Sequence, residues 1–132
     1  METGIFVGIN KKMKKYLLVF LLLACQEKQR ETVLSAQAFE AKYKSTNQAI
    51  LLDVRTVEEV ANGKIHDAKN IVYDEGFAMK LETLPHQPIF VYCGSGVRSA
   101  KAAKILKEKG YDEVYECAGG LKAWKAAGLA IE

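Results

Sequence analysis

Short, largely apolar runs recur along the chain from residue 33 onward, and polar or glycine-containing segments separate them. Such runs favour strands that are buried on both faces of a sheet. The pattern predicts five strands, over Val33–Leu34, Ile50–Val54, Ile71–Tyr73, Ile89–Tyr92 and Val114–Tyr115.

Helix signals lie between the predicted strands. Thr56 and Glu59 have the spacing of a capping box, in which the hydroxyl and the carboxylate each accept from the other residue's free backbone amide. Strands that alternate with helices indicate an α/β fold with a largely parallel central sheet flanked by helices. The predicted helices run from Ser35 to about Tyr43, from Thr56 to Gly63, and over Met79–Leu84, Ser99–Lys109 and Leu121–Ala127.

The segment between the fourth strand and the following helix carries the clearest chemical signal. Cys93 lies just after a buried strand, where α/β sheets bind ligands. Two glycines allow the loop amides to converge, and the helix start and Arg98 add positive charge. A thiol in this setting is stabilised as the nucleophilic thiolate, and the same cradle suits an oxyanion. The predicted catalytic residue is therefore Cys93, and the predicted substrate-binding residues are Gly94, Ser95, Gly96, Val97, Arg98 and Ser99.

The first 24 residues resemble a bacterial lipoprotein signal peptide. Lysines flank Met13, and the apolar run Tyr16–Ala24 is nine residues long, which suits a signal peptide better than a membrane-spanning helix. The run ends at Cys25, the position that receives lipid in such signals. Met13 would make a conventional start, with residues 1–12 as an upstream extension. The sequence thus predicts a leader over 1–24, a tether over 25–32 and a domain over 33–132, with a lipid anchor on Cys25 in the cell envelope, facing the periplasm.

The net charge of +3 belongs to the leader rather than to the domain. Of the 19 basic and 16 acidic side chains, four lysines and one glutamate precede Cys25, which leaves 15 of each sign. A balanced domain offers no basic surface for nucleic acid. His66 and His86 are far apart and lack metal-ligand spacing, and the three cysteines lie in unrelated settings, so neither a metal site nor a cofactor is expected.

Four motifs in order resemble those of the rhodanese family. They are Asp53-Val54-Arg55, the segment from Gly63 to Ile71, the loop from Cys93 to Ser99, and Gly119-Gly120-Leu121 with Trp124. The resemblance covers nearly all of the chain after Cys25. It implies the three-layer rhodanese-like fold.

The same resemblance implies a sulfurtransferase of the thiosulfate sulfurtransferase kind. Cys93 would carry a persulfide, formed from a small anionic sulfur donor and passed to a thiol or cyanide-like acceptor. Arg98 and the loop amides would bind the anionic part of the donor. Asp53 could orient Arg98 or the loop, but the pattern favours a structural role in which Asp53 and Arg55 tie the strand end to the neighbouring helix.

Other functions remain open at this stage. A non-catalytic rhodanese-like binding module and a thiol-redox protein of the envelope are the main alternatives. A phosphatase is disfavoured because the tyrosine-phosphatase signature places five residues between cysteine and arginine, whereas four separate Cys93 from Arg98. A disulfide between Cys93 and Cys117 would need α carbons within about 7 Å. The position favours Cys117 as a reduced thiol packed in the core.

Overall fold

The computed structural model describes residues 32–132, whose strands form one wholly parallel sheet. The order across the sheet is β1-β5-β4-β2-β3, and every neighbouring pair is parallel. The predicted α/β fold is therefore confirmed. The strands are β1 (Val33–Leu34), β2 (Ile50–Asp53), β3 (Lys69–Asn70), β4 (Ile89–Tyr92) and β5 (Val114–Cys117).

Helices connect the strands, and several begin as the sequence predicts. Ser35 caps the first helix by accepting from the amide of Ala38. Thr56 and Glu59 form the predicted capping box at the start of the second. The helices are α1 (Ala36–Ser45), α2 (Val57–Ala61), α3 (Phe77–Lys80), α4 (Val97–Glu108) and α5 (Gly120–Ala126), and a 3-10 turn (Leu81–Thr83) follows α3.

Burial of the central strand β4 accounts for the three layers of the fold, which are the sheet and the helices on each of its faces. All four of its residues are fully buried, so both faces of the sheet are covered. Ile89 and Val91 face a core that also contains residues of α3 and α4. Phe90 and Tyr92 face a second core with residues of α1 and α5. Because successive strand residues point to opposite faces, one apolar run supplies both cores.

The prediction of a strand over Ile71–Tyr73 was wrong. The strand is β3, immediately before it, paired with Leu52 and Asp53 of β2. The amides of Ile71 and Tyr73 still donate to β2 and to the residue after it. The ladder nevertheless stops, because β2 ends at Asp53 and the chain turns toward α2. The apolar character of residues 71–73 indicated that they pack against the core, as Ile71 and Tyr73 do. The length of β2 determined where its pairing with β3 ends.

Two helices begin two residues earlier than predicted. Helix α4 begins at Val97, two residues before Ser99, with Gly96 as its N-cap in a left-handed conformation. Val97 and Arg98 therefore belong to the first turn of a helix rather than to a free loop. The helix predicted over Met79–Leu84 consists of α3 and the 3-10 turn, which together begin at Phe77.

The predicted leader, the lipidation site Cys25 and nearly all of the tether lie outside the described residues. Between residues 32 and 132, no helix has the length and apolar character needed to cross a membrane.

Candidate active site

The cysteine loop lies where the order of the strands reverses. From β2 the chain crosses to β3 on one side, and from β4 it crosses to β5 on the other. Between β2 and β4 the two connections diverge, and this opens a crevice at the carboxyl ends of the strands. Cys93 follows β4 directly, and the segment from Val54 to Glu59 follows β2. The crevice therefore brings together two segments about 40 residues apart in the chain.

Backbone amides and one hydroxyl form hydrogen bonds with the sulfur of Cys93. The amides of Gly96 and Ser99 donate to Sγ at 3.1 and 3.3 Å. The Ser99 hydroxyl lies 3.4 Å from Sγ and accepts from the neutral thiol. The hydroxyl itself donates to the Gly96 carbonyl at 3.2 Å, and once the thiol has lost its proton it can donate to the sulfur by giving up that bond. The sulfur is thus placed to be stabilised as an anion.

The pKa of Cys93 reflects this arrangement. Burial raises the pKa of the thiol, but hydrogen bonds to the sulfur lower it by more, so the pKa lies below its ordinary value. Since thiolate is the reactive form, this favours nucleophilic chemistry. The lowering comes from the Ser99 hydroxyl and from the amides of Ser99, Gly96 and Ser95.

Helix α4 and Gly96 direct the loop amides toward one point. Gly96 has φ +99°, a conformation that side-chain-bearing residues rarely adopt. Val97 and Arg98 open α4, so their amides have no acceptor within the helix. The start of a helix also carries partial positive charge. Binding of an anion by these amides, together with those bound to the sulfur, stays a prediction.

Helix α5 binds the other side of the loop, a role that the sequence analysis did not assign. The amides of Leu121 and Lys122 donate to the carbonyls of Cys93 and Gly94 at 2.8 and 3.1 Å. A Cβ on Gly120 would lie 2.5 Å from the Cys93 carbonyl oxygen, so only glycine fits there. With these two carbonyls bound to α5, the amides of the same peptide groups point away from α5. The sequence signal for this role is the pair Gly119-Gly120 that follows β5.

Arg98 is paired with Glu59. Its two terminal nitrogens donate to the two carboxylate oxygens at 2.7 and 2.9 Å. These hydrogen bonds lower the pKa of the Glu59 carboxyl from 4.5 to about 2; burial opposes this, and Thr56 adds to it. The sequence analysis placed Glu59 only in the capping box, because contact with Arg98 depends on tertiary structure.

Asp53 and Arg55 form a buried ion pair beside the crevice. Arg55 donates to both carboxylate oxygens of Asp53, the shortest contact being 2.7 Å. It also donates to the carbonyl of Glu59 within α2 and to that of Gly63, two residues after the helix ends. The pair therefore joins the end of β2 to the neighbouring helix, and Arg98 makes its ion pair with Glu59 instead.

Cys117 lies on the opposite face of the sheet from Cys93. Both are free and buried, with Cys93 in the core against α4 and Cys117 in the core against α1 and α5. Burial, and to a lesser extent the charge of the Cys93 thiolate, raise the pKa of Cys117 to about 11, which keeps it protonated. A disulfide between side chains on opposite faces would require the backbone to move.

Comparisons with known proteins agree with this geometry. The family model for the rhodanese-like domain matches residues 22–127. A sulfurtransferase of Allochromatium vinosum is 30% identical over 99 residues, covering 74% of this chain and 92% of that protein. The thiosulfate sulfurtransferase GlpE of Actinobacillus succinogenes is 34% identical over 88 residues, covering 66% and 78%.

Solved structures show the same fold. The crystal structure of a rhodanese-like domain protein from Staphylococcus aureus aligns with a TM-score of 0.64 and 31% identity, covering 76% of this chain and 98% of that one. The α/β fold of the described residues is thus shared with a protein of known family. The chain belongs to the rhodanese-like domain family.

Proposed function

We propose that this domain is a sulfurtransferase in which Cys93 carries a sulfane sulfur as a persulfide. The observation that supports this most directly is the cradle around Sγ, where two amides and a hydroxyl meet a thiol of lowered pKa. The relatives named sulfurtransferases support the same class of reaction.

In the first step, the Cys93 thiolate attacks the outer sulfur of an anionic donor such as thiosulfate. A bond forms between the two sulfurs, and the donor's own sulfur–sulfur bond breaks. Sulfite leaves with the electron pair, and Cys93 becomes a persulfide anion. The amides of the first turn of α4 would stabilise the negative charge on the transferred sulfur.

In the second step, a thiophilic acceptor attacks the outer sulfur of the persulfide. A cyanide acceptor would become thiocyanate, and a thiolate acceptor would become a new persulfide. The electron pair of the broken bond returns to Cys93 as thiolate. The cycle needs no external oxidant or reductant and restores the starting state.

The rival activities fit the geometry less well. A phosphatase would need an arginine free to bind phosphate, whereas the terminal nitrogens of Arg98 are paired with Glu59. A dithiol redox cycle would need a second cysteine beside Cys93, and Cys117 lies across the sheet. If the domain only bound a partner, the lowered pKa of Cys93 would have no role.

The test is turnover of thiosulfate and cyanide into thiocyanate by the soluble domain. Cys93→Ser should abolish it, because the hydroxyl is a poor nucleophile that cannot form a persulfide. Cys117→Ala is the matched control and should retain activity, since it removes a buried thiol on the other face. Mass spectrometry after exposure to thiosulfate should show one added sulfur atom on Cys93. Undiminished turnover in Cys93→Ser would refute the proposal.

We further propose that the chain is lipidated at Cys25 and held at the bacterial cell envelope, facing the periplasm. The support is the sequence pattern alone: lysines, an apolar run and a cysteine in the order of a lipoprotein signal.

A further inference from the structure

Glu59 binds the two terminal nitrogens of Arg98, which would otherwise be free to bind an anionic sulfur donor. A guanidinium recognises oxyanions through paired N–H groups, and both terminal nitrogens of Arg98 already donate to one carboxylate. The two side chains are similarly exposed, at 35% and 37%, so the pair lies at the mouth of the crevice. As a pair, they add no net charge to the site.

The Glu59 carboxylate is also held from its own helix. The amide and the hydroxyl of Thr56 donate to Oε1 at 3.2 and 3.1 Å. Glu59 is therefore fixed by the capping box and cannot simply follow Arg98 toward a donor. Any anion that draws Arg98 away leaves this carboxylate unpaired.

The ion pair lies against the loop that binds the sulfur donor. A Cβ placed on Gly94 would be 3.3 Å from Nη2 of Arg98 and 3.7 Å from Oε2 of Glu59. A donor above the loop thus meets the carboxylate only about 0.4 Å farther away than the guanidinium. A second negative charge on that donor would gain little attraction here and would still lose hydration.

We propose that Glu59 sets the charge preference of the site, by pairing with Arg98 and so favouring sulfur donors with one negative charge over donors with two. This rests on the proposed sulfur transfer and adds a specificity-determining residue to it. The donors favoured are thiosulfonates and persulfides whose remainder is uncharged near the transferred sulfur.

The experiment compares thiosulfate with methanethiosulfonate, in which a methyl group replaces one charged oxygen. Glu59→Gln retains a residue suited to the capping box but cannot neutralise Arg98. It should raise the kcat/KM ratio of thiosulfate to methanethiosulfonate by roughly fivefold to tenfold at low ionic strength, mainly through KM, and salt should reduce this difference. Arg98→Ala should lower the same ratio.

Glu58→Gln is the matched control, because it removes the same charge from the adjacent, exposed position. It should leave the ratio within about twofold of the wild type, as expected for screened surface charges. Circular dichroism of each variant verifies folding. An unchanged ratio in folded Glu59→Gln, or an equal rise in Glu58→Gln, would overturn the proposal.

A second measurement needs no sulfur transfer. Cys93 is alkylated with iodoacetate, which is negatively charged, and with neutral iodoacetamide. Glu59→Gln should raise the ratio of the iodoacetate rate to the iodoacetamide rate. A ratio equal to that of the wild type would contradict the role of Glu59. If the wild type transfers sulfur from neither donor, the proposed function fails, while the alkylation ratio still decides the role of Glu59.

Discussion

The acidity of a thiol depends on the donors that its sulfur can reach, and at Cys93 all of them come from the loop and the first turn of α4. Burial alone would raise the pKa and make Cys93 inert, as it does for Cys117. The difference between the two cysteines is the set of donors around Sγ rather than the degree of burial. At the scale of residues, reactivity is therefore determined by Gly96 and Ser99 as much as by Cys93.

The rate of sulfur uptake should depend on pH through the ionisation of Cys93. The lowered pKa of Cys93 means that sulfur uptake should increase as pH rises through that pKa and level off below the pH at which an ordinary thiol ionises. Ser99→Ala should move the midpoint upward by roughly half to one pH unit, because a hydrogen bond contributes about 1 kcal/mol and one pKa unit corresponds to about 1.4 kcal/mol.

The control for this prediction is Ser95→Ala, which changes an exposed hydroxyl of the same loop and keeps its amide. Its midpoint should match the wild type. Pre-steady-state uptake of sulfur from thiosulfate, measured across pH, separates the variants. Equal midpoints in Ser99→Ala and the wild type would show that the hydroxyl does not stabilise the thiolate.

At the scale of elements, two helix starts meet at one loop. The first turn of α4 directs amides to the sulfur, and the first turn of α5 binds the carbonyls of Cys93 and Gly94. Because the carbonyl and the amide of one peptide group point in opposite directions, fixing the carbonyls of Cys93 and Gly94 on α5 also orients the amides of Gly94 and Ser95. The close approach requires glycine at Gly120, where any side chain would overlap the loop backbone.

Gly120→Ala should therefore displace the loop and impair sulfur transfer. A Cβ at this position would lie 2.5 Å from the Cys93 oxygen and 2.7 Å from the Gly94 carbonyl carbon. We expect kcat/KM to fall by roughly tenfold to a hundredfold, since misplacing a reacting group by about 1 Å costs rate on that scale.

Gly128→Ala provides the matched control. Gly128 also has a positive φ, +76°, but nothing lies within 4 Å of the added Cβ. Both variants carry the backbone strain of about 1–2 kcal/mol that L residues incur in this conformation. Only Gly120→Ala should lose activity beyond its loss of thermal stability, and equal activity losses would indicate that strain alone is responsible.

At the scale of the whole molecule, the site exists because the order of the strands reverses between the parallel neighbours β2 and β4. One side of the crevice supplies Glu59 and the other supplies Arg98, so their ion pair spans the reversal point. Beneath it, the Asp53–Arg55 pair fixes α2 to the end of β2. The crevice is thus framed by contacts that join segments distant in sequence.

The proposed anchorage also belongs to this scale. In a bacterial host, the full chain should incorporate labelled palmitate and fractionate with membranes, because a diacylglyceryl cysteine carries long acyl chains. Cys25→Ala should abolish labelling, and Cys117→Ala should leave it unchanged. Labelling that persists in Cys25→Ala would exclude this residue as the lipidation site.

The parts of the fold and site that the sequence predicted are those governed by local rules. The apolar run of β4, the caps at Ser35 and Thr56, and the cradle at Cys93 each depend on neighbouring residues. The end of β3 depended on where its partner strand stops. The pairing of Glu59 with Arg98 depended on two connections meeting in space, which spacing along the chain does not encode.

The complete burial of Cys93 bears on oxidative damage. A thiolate is the form that peroxide oxidises, first to sulfenic acid and then irreversibly to sulfinic acid. Cys93 has 0% of its surface exposed, so peroxide reaches the sulfur only when the loop opens. In the proposed reaction, a sulfur donor uses the same opening. A looser loop would therefore speed the loading of sulfur and the loss of the cysteine together, and a tighter loop would extend the working life of the domain at the expense of its rate.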